Sequence, residues 1–124
     1  MTRVVVIDDS ELVREAARIA LELAGWEAIA AADGEAGVTA ATGQPPDAVL
    51  LDVEMPGIDG VETLRRLRAD PRTARVPVAF LTAHADDPAQ RAQLLAAGAD
   101  AVIAKPFQVP TLAGAVRAAF GWTS

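Results

Sequence analysis

The chain has no cysteine and no tyrosine, a single histidine, and Lys105 as its lone lysine. Without cysteine there is no disulfide framework, which is compatible with a reducing compartment. No apolar run approaches the roughly 20 residues needed to span a bilayer. The amino terminus passes from Met1-Thr2-Arg3 through an apolar run at 4–7 into Asp8-Asp9. That run is too short, and too soon acidic, for a signal peptide. The expectation is a cytoplasmic protein that makes no membrane contact.

Positive charge is also scarce. A formal net charge of −6 argues against direct nucleic-acid binding, which needs a basic footprint to neutralise phosphates. One local cluster exists, Arg65, Arg66, Arg68, Arg72 and Arg75. It reads as a solvated helix face whose cations suit a helix carboxyl end, with a surface for an acidic partner as the less favoured alternative. No glycine-rich turn follows the first apolar run, which excludes a Rossmann-type dinucleotide site.

What is present is a hydrophobic fraction of 52% in 124 residues, enough for one packed domain and little more. Short apolar runs at 4–7, 28–31, 48–51, 78–81 and 101–104 alternate with helical patterns. The first, third and fourth lack polar alternation, as strands covered on both faces do. Ser10 is positioned to cap a first helix with Leu12, Ala16, Ile19 and Leu23 as its inward stripe and Gly25 as its stop. A second helix over 35–41 is weak because it contains Gly37. A third covers 61–69, with Leu64 and Leu67 inward, and ends before Pro71. The fourth opens with Asp87 and Pro88 and closes at Gly98. The last follows Pro110, with Leu112, Val116 and Phe120 inward. Trp26 and Trp122 are expected to pack. The pattern is an α/β (βα)₅ fold, a parallel five-stranded sheet between two helical layers.

In such a sheet, ligands bind beyond the carboxyl ends of the strands. Those ends carry Asp8-Asp9, Asp52, Thr82 and Lys105-Pro106. Three carboxylates meeting at one rim repel one another, and a hard cation held by oxygens, Mg²⁺ or Mn²⁺, would relieve this. A carboxylate beside a cation can act as a nucleophile and form an acyl phosphate. Lys105 adds a second positive charge, and Thr82 a hydroxyl donor. Phosphoryl transfer relies on this kind of positioning and charge neutralisation.

Asp8-Asp9, Asp52 followed by Val53-Glu54-Met55-Pro56-Gly57-Ile58-Asp59-Gly60, Thr82-Ala83 and Lys105-Pro106-Phe107 resemble, in order and spacing, the receiver domain of two-component response regulators. The resemblance runs over essentially the whole chain. It implies a CheY-like, flavodoxin-like sandwich with strand order 2-1-3-4-5, an order for which a member of this family is a standard example. It implies Asp52 as phosphoryl acceptor, Asp9 as direct metal ligand, Asp8 acting through water, and the backbone carbonyl of Glu54 as a further ligand. Thr82 would be the switch hydroxyl and Lys105 the partner of Asp52 and then of the phosphoryl oxygens. Glu54, Ala83, His84, Val102 and Pro106 are the positions it marks as modulating. Glu54 and His84 would border the phosphoryl group and affect access by water, although His84 alone reads as an exposed loop residue. The Lys105–Pro106 bond is often cis in such domains.

The partners implied are a sensor histidine kinase or phosphotransfer protein and an unidentified downstream protein, with a homodimer left open. Residues 1–124 would be one receiver domain without an output domain, stand-alone or cut from a longer chain. It would be a phosphoacceptor switch and no enzyme beyond self-phosphorylation from small donors and autodephosphorylation. One departure stands out. Many receivers carry Tyr or Phe three residues before the lysine, where this chain has Val102. A smaller conformational change, or a different output surface, is expected. Two alternatives are weaker. A Mg²⁺-dependent phosphohydrolase with an aspartyl nucleophile often has a second Asp two residues on, where this chain has Glu54, and no cap segment encloses a substrate. An interaction module that is never phosphorylated is disfavoured by the complete set of site residues.

Overall fold

The structure, a computed structural model, describes residues 1–122. Five strands and five helices alternate: β1 (Arg3–Ile7), α1 (Glu11–Leu23), β2 (Glu27–Ala31), α2 (Gly34–Gly43), β3 (Ala48–Asp52), α3 (Gly60–Ala69), β4 (Val78–Thr82), α4 (Pro88–Ala96), β5 (Ala101–Ala104) and α5 (Val109–Phe120). The strands form one parallel sheet in the order β2-β1-β3-β4-β5. No helix among the described residues is long and apolar enough to cross a membrane.

Alternate strand residues point to opposite faces, so each strand feeds two cores. Val4, Val6, Leu50, Leu81 and Ile103 pack with Ala17 and Leu21 of α1 and with Leu112 and Val116 of α5. Val5, Ile7, Leu51 and Phe80 pack with Ala41 of α2, Leu64 and Leu67 of α3, and Leu94 of α4. All of β3 and β4 is buried, which explains their unbroken apolar runs. Trp26 and Trp122 do pack, edge to face at 5.6 Å, with the Arg117 guanidinium 5.0 Å from the Trp26 ring centre.

The inward face of α1 differs from expectation. Ala17, Ala20 and Leu21 are buried, whereas Leu12 is 80% and Leu23 74% exposed, and Ile19 is also exposed. The helix has one broad apolar arc, from Ile19 and Leu12 round to Leu21, opposite Glu11, Arg14, Glu15, Arg18 and Glu22, so a 3.6-residue period does not fix which edge of that arc turns inward. Alanines at 17 and 20 permit a closer approach to the sheet and α5 than the predicted leucines would. Most of the arginine cluster is the solvated face expected, with Arg66 and Arg68 in the last turn of α3, but Arg68 does more. Arg68 donates to the carbonyls of Val76 (2.6 Å) and Gly98 (3.1 Å) and to Asp100 (2.9 Å), tying the end of α3 to the entries of β4 and β5. Arg65 and Arg66 pair with Glu62, and Arg72 with Asp70.

Two glycines explain helices that propensity alone undervalues. A Cβ at Gly37 would stand 2.3 Å from Ile7 Cδ1, so its absence lets α2 rest on β1. A Cβ at Gly60, the first residue of α3, would stand 2.3 Å from the carbonyl oxygen of Asp52 and 2.9 Å from Phe80 Cε1. Gly60 also donates its N–H to the Val53 carbonyl at 2.8 Å. Since backbone lies on one side of this contact, Gly60→Ala should cost about 2–3 kcal/mol and lower Tm by about 10 °C. A circular dichroism melt checks this, and an unchanged Tm would contradict the close approach.

Candidate functional site

Parallel pairing brings every strand's carboxyl end to one rim. Asp8 follows β1 directly, its N–H donating to the Ala31 carbonyl at 3.1 Å. Its side chain is fully buried, Oδ1 accepting from the Ser10 N–H at 2.9 Å. Arg14 of α1 reaches back to donate to the Asp8 backbone carbonyl at 2.9 Å. Asp52 ends β3 and is 6% exposed. Gly60 closes in on its carbonyl, and Asp59 caps α3 by accepting from the Glu62 N–H at 2.9 Å.

Lys105 joins these groups. Its Nζ donates to Asp52 Oδ1 at 2.9 Å and to Asp8 Oδ2 at 3.2 Å. Its backbone N–H donates to the Thr82 carbonyl at 2.8 Å, which carries the β4–β5 ladder to the rim. The following bond to Pro106 is cis. Asp9 is exposed. Carboxylate oxygens of Asp8, Asp9 and Asp52 lie within 4.8 Å of one another, which among the described residues is the one acidic group able to hold a metal ion.

The charges are interdependent. Burial pushes the Asp52 carboxyl above the usual aspartate range. Lys105 pulls it down, while Asp8 and Asp9 add to the rise. For Lys105, burial favours loss of the proton, but the bonds and charges of Asp52 and Asp8 outweigh it and hold the ammonium above the ordinary lysine value. One ammonium against three carboxylates leaves net negative charge in a poorly solvated rim. The donors are all oxygens, so the residues present fit a hard divalent cation such as Mg²⁺.

A cleft of about 190 Å³ opens beside Asp52, lined by Val53, Glu54, Thr82, Ala83, His84, Gln90 and Lys105. That is below the roughly 300–1,000 Å³ of ordinary small-molecule pockets and of a size for a phosphoryl group and a few waters. Among the positions singled out in the sequence, Glu54, Thr82, Ala83 and His84 meet Asp52 and Lys105 here. Two do not line it. Val102 is buried in the core with Phe80 and Leu94, and Pro106 is exposed beside Lys105.

Two contributors escaped notice in the sequence. Arg14 is one; a cation in the first turn of a helix is unfavourable to the dipole and was a usable signal. Gln90 is the other. Its Oε1 accepts the Thr82 hydroxyl proton at 2.9 Å. Asp87-Pro88-Ala89-Gln90 looks like a capping box, which would assign that side chain elsewhere.

Comparison with known proteins agrees with this geometry. The family model described as the response regulator receiver domain matches residues 4–117. The DNA-binding dual master transcriptional regulator RpaA of Synechocystis is 38% identical over 118 residues, covering 95% of this chain and 48% of RpaA. The chain thus spans about half the length of the curated relatives it matches. Among solved structures, the chemotaxis response regulator CheY4 of Vibrio cholerae aligns with a TM-score of 0.90 at 29% identity, over 96% of this chain and 98% of CheY4. The receiver domain of sensor histidine kinase PA1611 from Pseudomonas aeruginosa, solved with a magnesium ion in its active site cleft, aligns with a TM-score of 0.84 at 30% identity, over 97% of this chain and 98% of that one. With the match running from β1 into α5, the chain belongs to the response regulator receiver domains, the switches of phosphorelay signal transduction.

Proposed function

We propose that Asp52 accepts the phosphoryl group from a sensor histidine kinase or phosphotransfer protein. The observation that carries this is the carboxylate's position, nearly buried at the rim, 2.9 Å from Lys105 Nζ and open to a phosphoryl-sized cleft. An Asp52 carboxylate oxygen attacks phosphorus, the donor's bond to phosphorus breaks, and an acyl phosphate forms. Lys105 orients the nucleophile and then follows the charge onto the phosphoryl oxygens. The Thr82 hydroxyl donates to one of them. Glu54, Ala83 and His84 border the product and govern how water reaches it. Val102, in the core with Phe80, and Pro106, exposed next to Lys105, modulate the site without lining the cleft.

Asp9, Asp52 and the backbone carbonyl of Glu54 would hold Mg²⁺ directly, with Asp8 acting through water, and Mn²⁺ would find the same oxygens. When bound, the ion neutralises the acids and the incoming phosphoryl oxygens. Residues 1–124 work as one receiver unit in the cytoplasm, switching the affinity of a downstream protein. Their own chemistry is limited to phosphorylation from small donors and autodephosphorylation.

Incubation with acetyl phosphate tests the proposal. Intact mass should gain one phosphoryl group with Mg²⁺ and none with chelator. No gain under either condition would contradict it. The cation should also raise stability, because it relieves repulsion among Asp8, Asp9 and Asp52. At tenfold excess over its dissociation constant the gain is about 1.4 kcal/mol, or a Tm about 5 °C higher. Differential scanning fluorimetry against Mg²⁺ reads this, and a flat titration would count against the metal site.

A further inference from the structure

The Thr82 hydroxyl has one proton, and its present use is visible. It donates to Gln90 Oε1 at 2.9 Å while accepting from the His84 N–H at 3.0 Å. Thr82 itself is buried, so water does not readily replace either partner. Gln90 belongs to α4, the helix that follows the Thr82 loop, and lines the cleft beside Asp52 and Lys105.

Its position in α4 makes this bond informative. Gln90 stands three residues after the cap Asp87, where a glutamine usually reaches back to the cap's own N–H. Here the Asp87 N–H is already satisfied by the His84 carbonyl at 3.0 Å. The Asp87 carboxylate caps the helix by accepting from Ala89 at 3.0 Å and Gln90 at 3.4 Å. The Gln90 side chain is therefore not needed to cap α4 and is committed to Thr82. The helix is lightly anchored, with Leu94 as its one buried residue. In β5, three residues before Lys105, the chain carries the buried Val102 and no ring that could follow the hydroxyl's motion.

We propose that Gln90 is the positioning residue for Thr82: its carboxamide holds the hydroxyl proton before phosphorylation and surrenders it afterwards, so that α4 senses the phosphoryl group through this one bond. The proposal rests on phosphorylation of Asp52. One proton cannot serve both acceptors, so donation to a phosphoryl oxygen requires release of Gln90. Release frees the first turn of α4 from β4. The hydrogen bond then performs the coupling that Val102 cannot.

Phosphorylation rate and α4 amide shifts test this separately, with acetyl phosphate and Mg²⁺ as reagents. Gln90→Met keeps the length and helix propensity of the side chain and loses the acceptor. It should gain phosphoryl mass about fivefold faster than wild type, because no neutral hydrogen bond need be broken first. Its unphosphorylated α4 amides, read by ¹H–¹⁵N NMR over Ala89–Ala96 and the Asp87 cap, should already lie toward the phosphorylated positions of wild type. Gln90→Glu retains an acceptor at the same reach and should restore the wild-type unphosphorylated spectrum. In a Thr82→Val background, Gln90→Met should change neither rate nor spectrum further, since the shared bond is already gone. A Gln90→Met rate equal to or below wild type, or α4 amides that respond to phosphorylation as in wild type, would overturn the proposal. Wild type that gains no phosphoryl mass would instead overturn the assignment of Asp52 beneath it.

Discussion

Asp52→Asn should take up no phosphoryl group from acetyl phosphate and Mg²⁺, under conditions in which wild type gains one. The carboxamide has the shape of the carboxylate but is no nucleophile for an acyl phosphate. The rate loss should exceed about 10³-fold, beyond what positioning by Lys105 and Thr82 can recover. The same substitution should make the metal-free protein more stable, not less. Burial and the neighbouring Asp8 and Asp9 already hold the Asp52 carboxyl above its ordinary range, so an ionised Asp52 is a cost to folding at neutral pH. Intact mass and a thermal melt read both effects on one sample. Phosphoryl mass on Asp52→Asn equal to wild type would remove Asp52 from the mechanism.

Lys105→Met should be the most destabilising change at the rim. It deletes the ammonium that bonds two acids, Asp8 and Asp52, whose side chains are 1% and 8% exposed. Removing one partner of a buried ion pair costs about 3–5 kcal/mol, because the remaining charge is uncompensated. The loss should depend on pH in a definite sense. The Asp52 pKa is raised in the folded protein already, and removing Lys105 takes away the group that pulls it down. A folded carboxyl with a raised pKa binds more protons than the unfolded chain does. Stability is therefore greatest below the unfolded value and falls as pH rises through the folded one. The deficit of Lys105→Met against wild type should thus shrink on acidification and grow toward neutrality. Saturating Mg²⁺ at pH 7 should restore part of it. Urea melts across pH check the sign, and a deficit that does not vary with pH would contradict this account of the rim.

Most of the architecture was legible because its determinants are local. Apolar runs without alternation announced the covered strands, and Asp87-Pro88 announced the start of α4. The acids and Lys105 were legible as a site because a parallel sheet gathers strand ends at one rim. What escaped depends on distance of approach between elements. Gly37 counts against a helix by propensity, yet the contact of α2 with Ile7 requires it. Ala17, Ala20 and Leu21 take the interior on α1 while Leu12 and Leu23 stay exposed, a choice between the edges of one broad apolar arc that the neighbouring elements make. Arg68 resembles a surface cation until the carbonyls of Val76 and Gly98 are seen to converge on it. Gln90 satisfies a local capping pattern and is used instead by a threonine eight residues earlier. Each case turns on a pairing between segments, which neither periodicity nor spacing within one segment encodes.

Chemical trapping of the acceptor tests the central claim most directly. The protein is loaded with acetyl phosphate and Mg²⁺, reduced with borohydride, and mapped by peptide mass spectrometry. Reduction converts an aspartyl phosphate to homoserine and leaves free carboxylates intact. Homoserine at position 52 and at no other aspartate is the predicted result. Homoserine at another aspartate, or at none in a sample that carries phosphoryl mass, would contradict it.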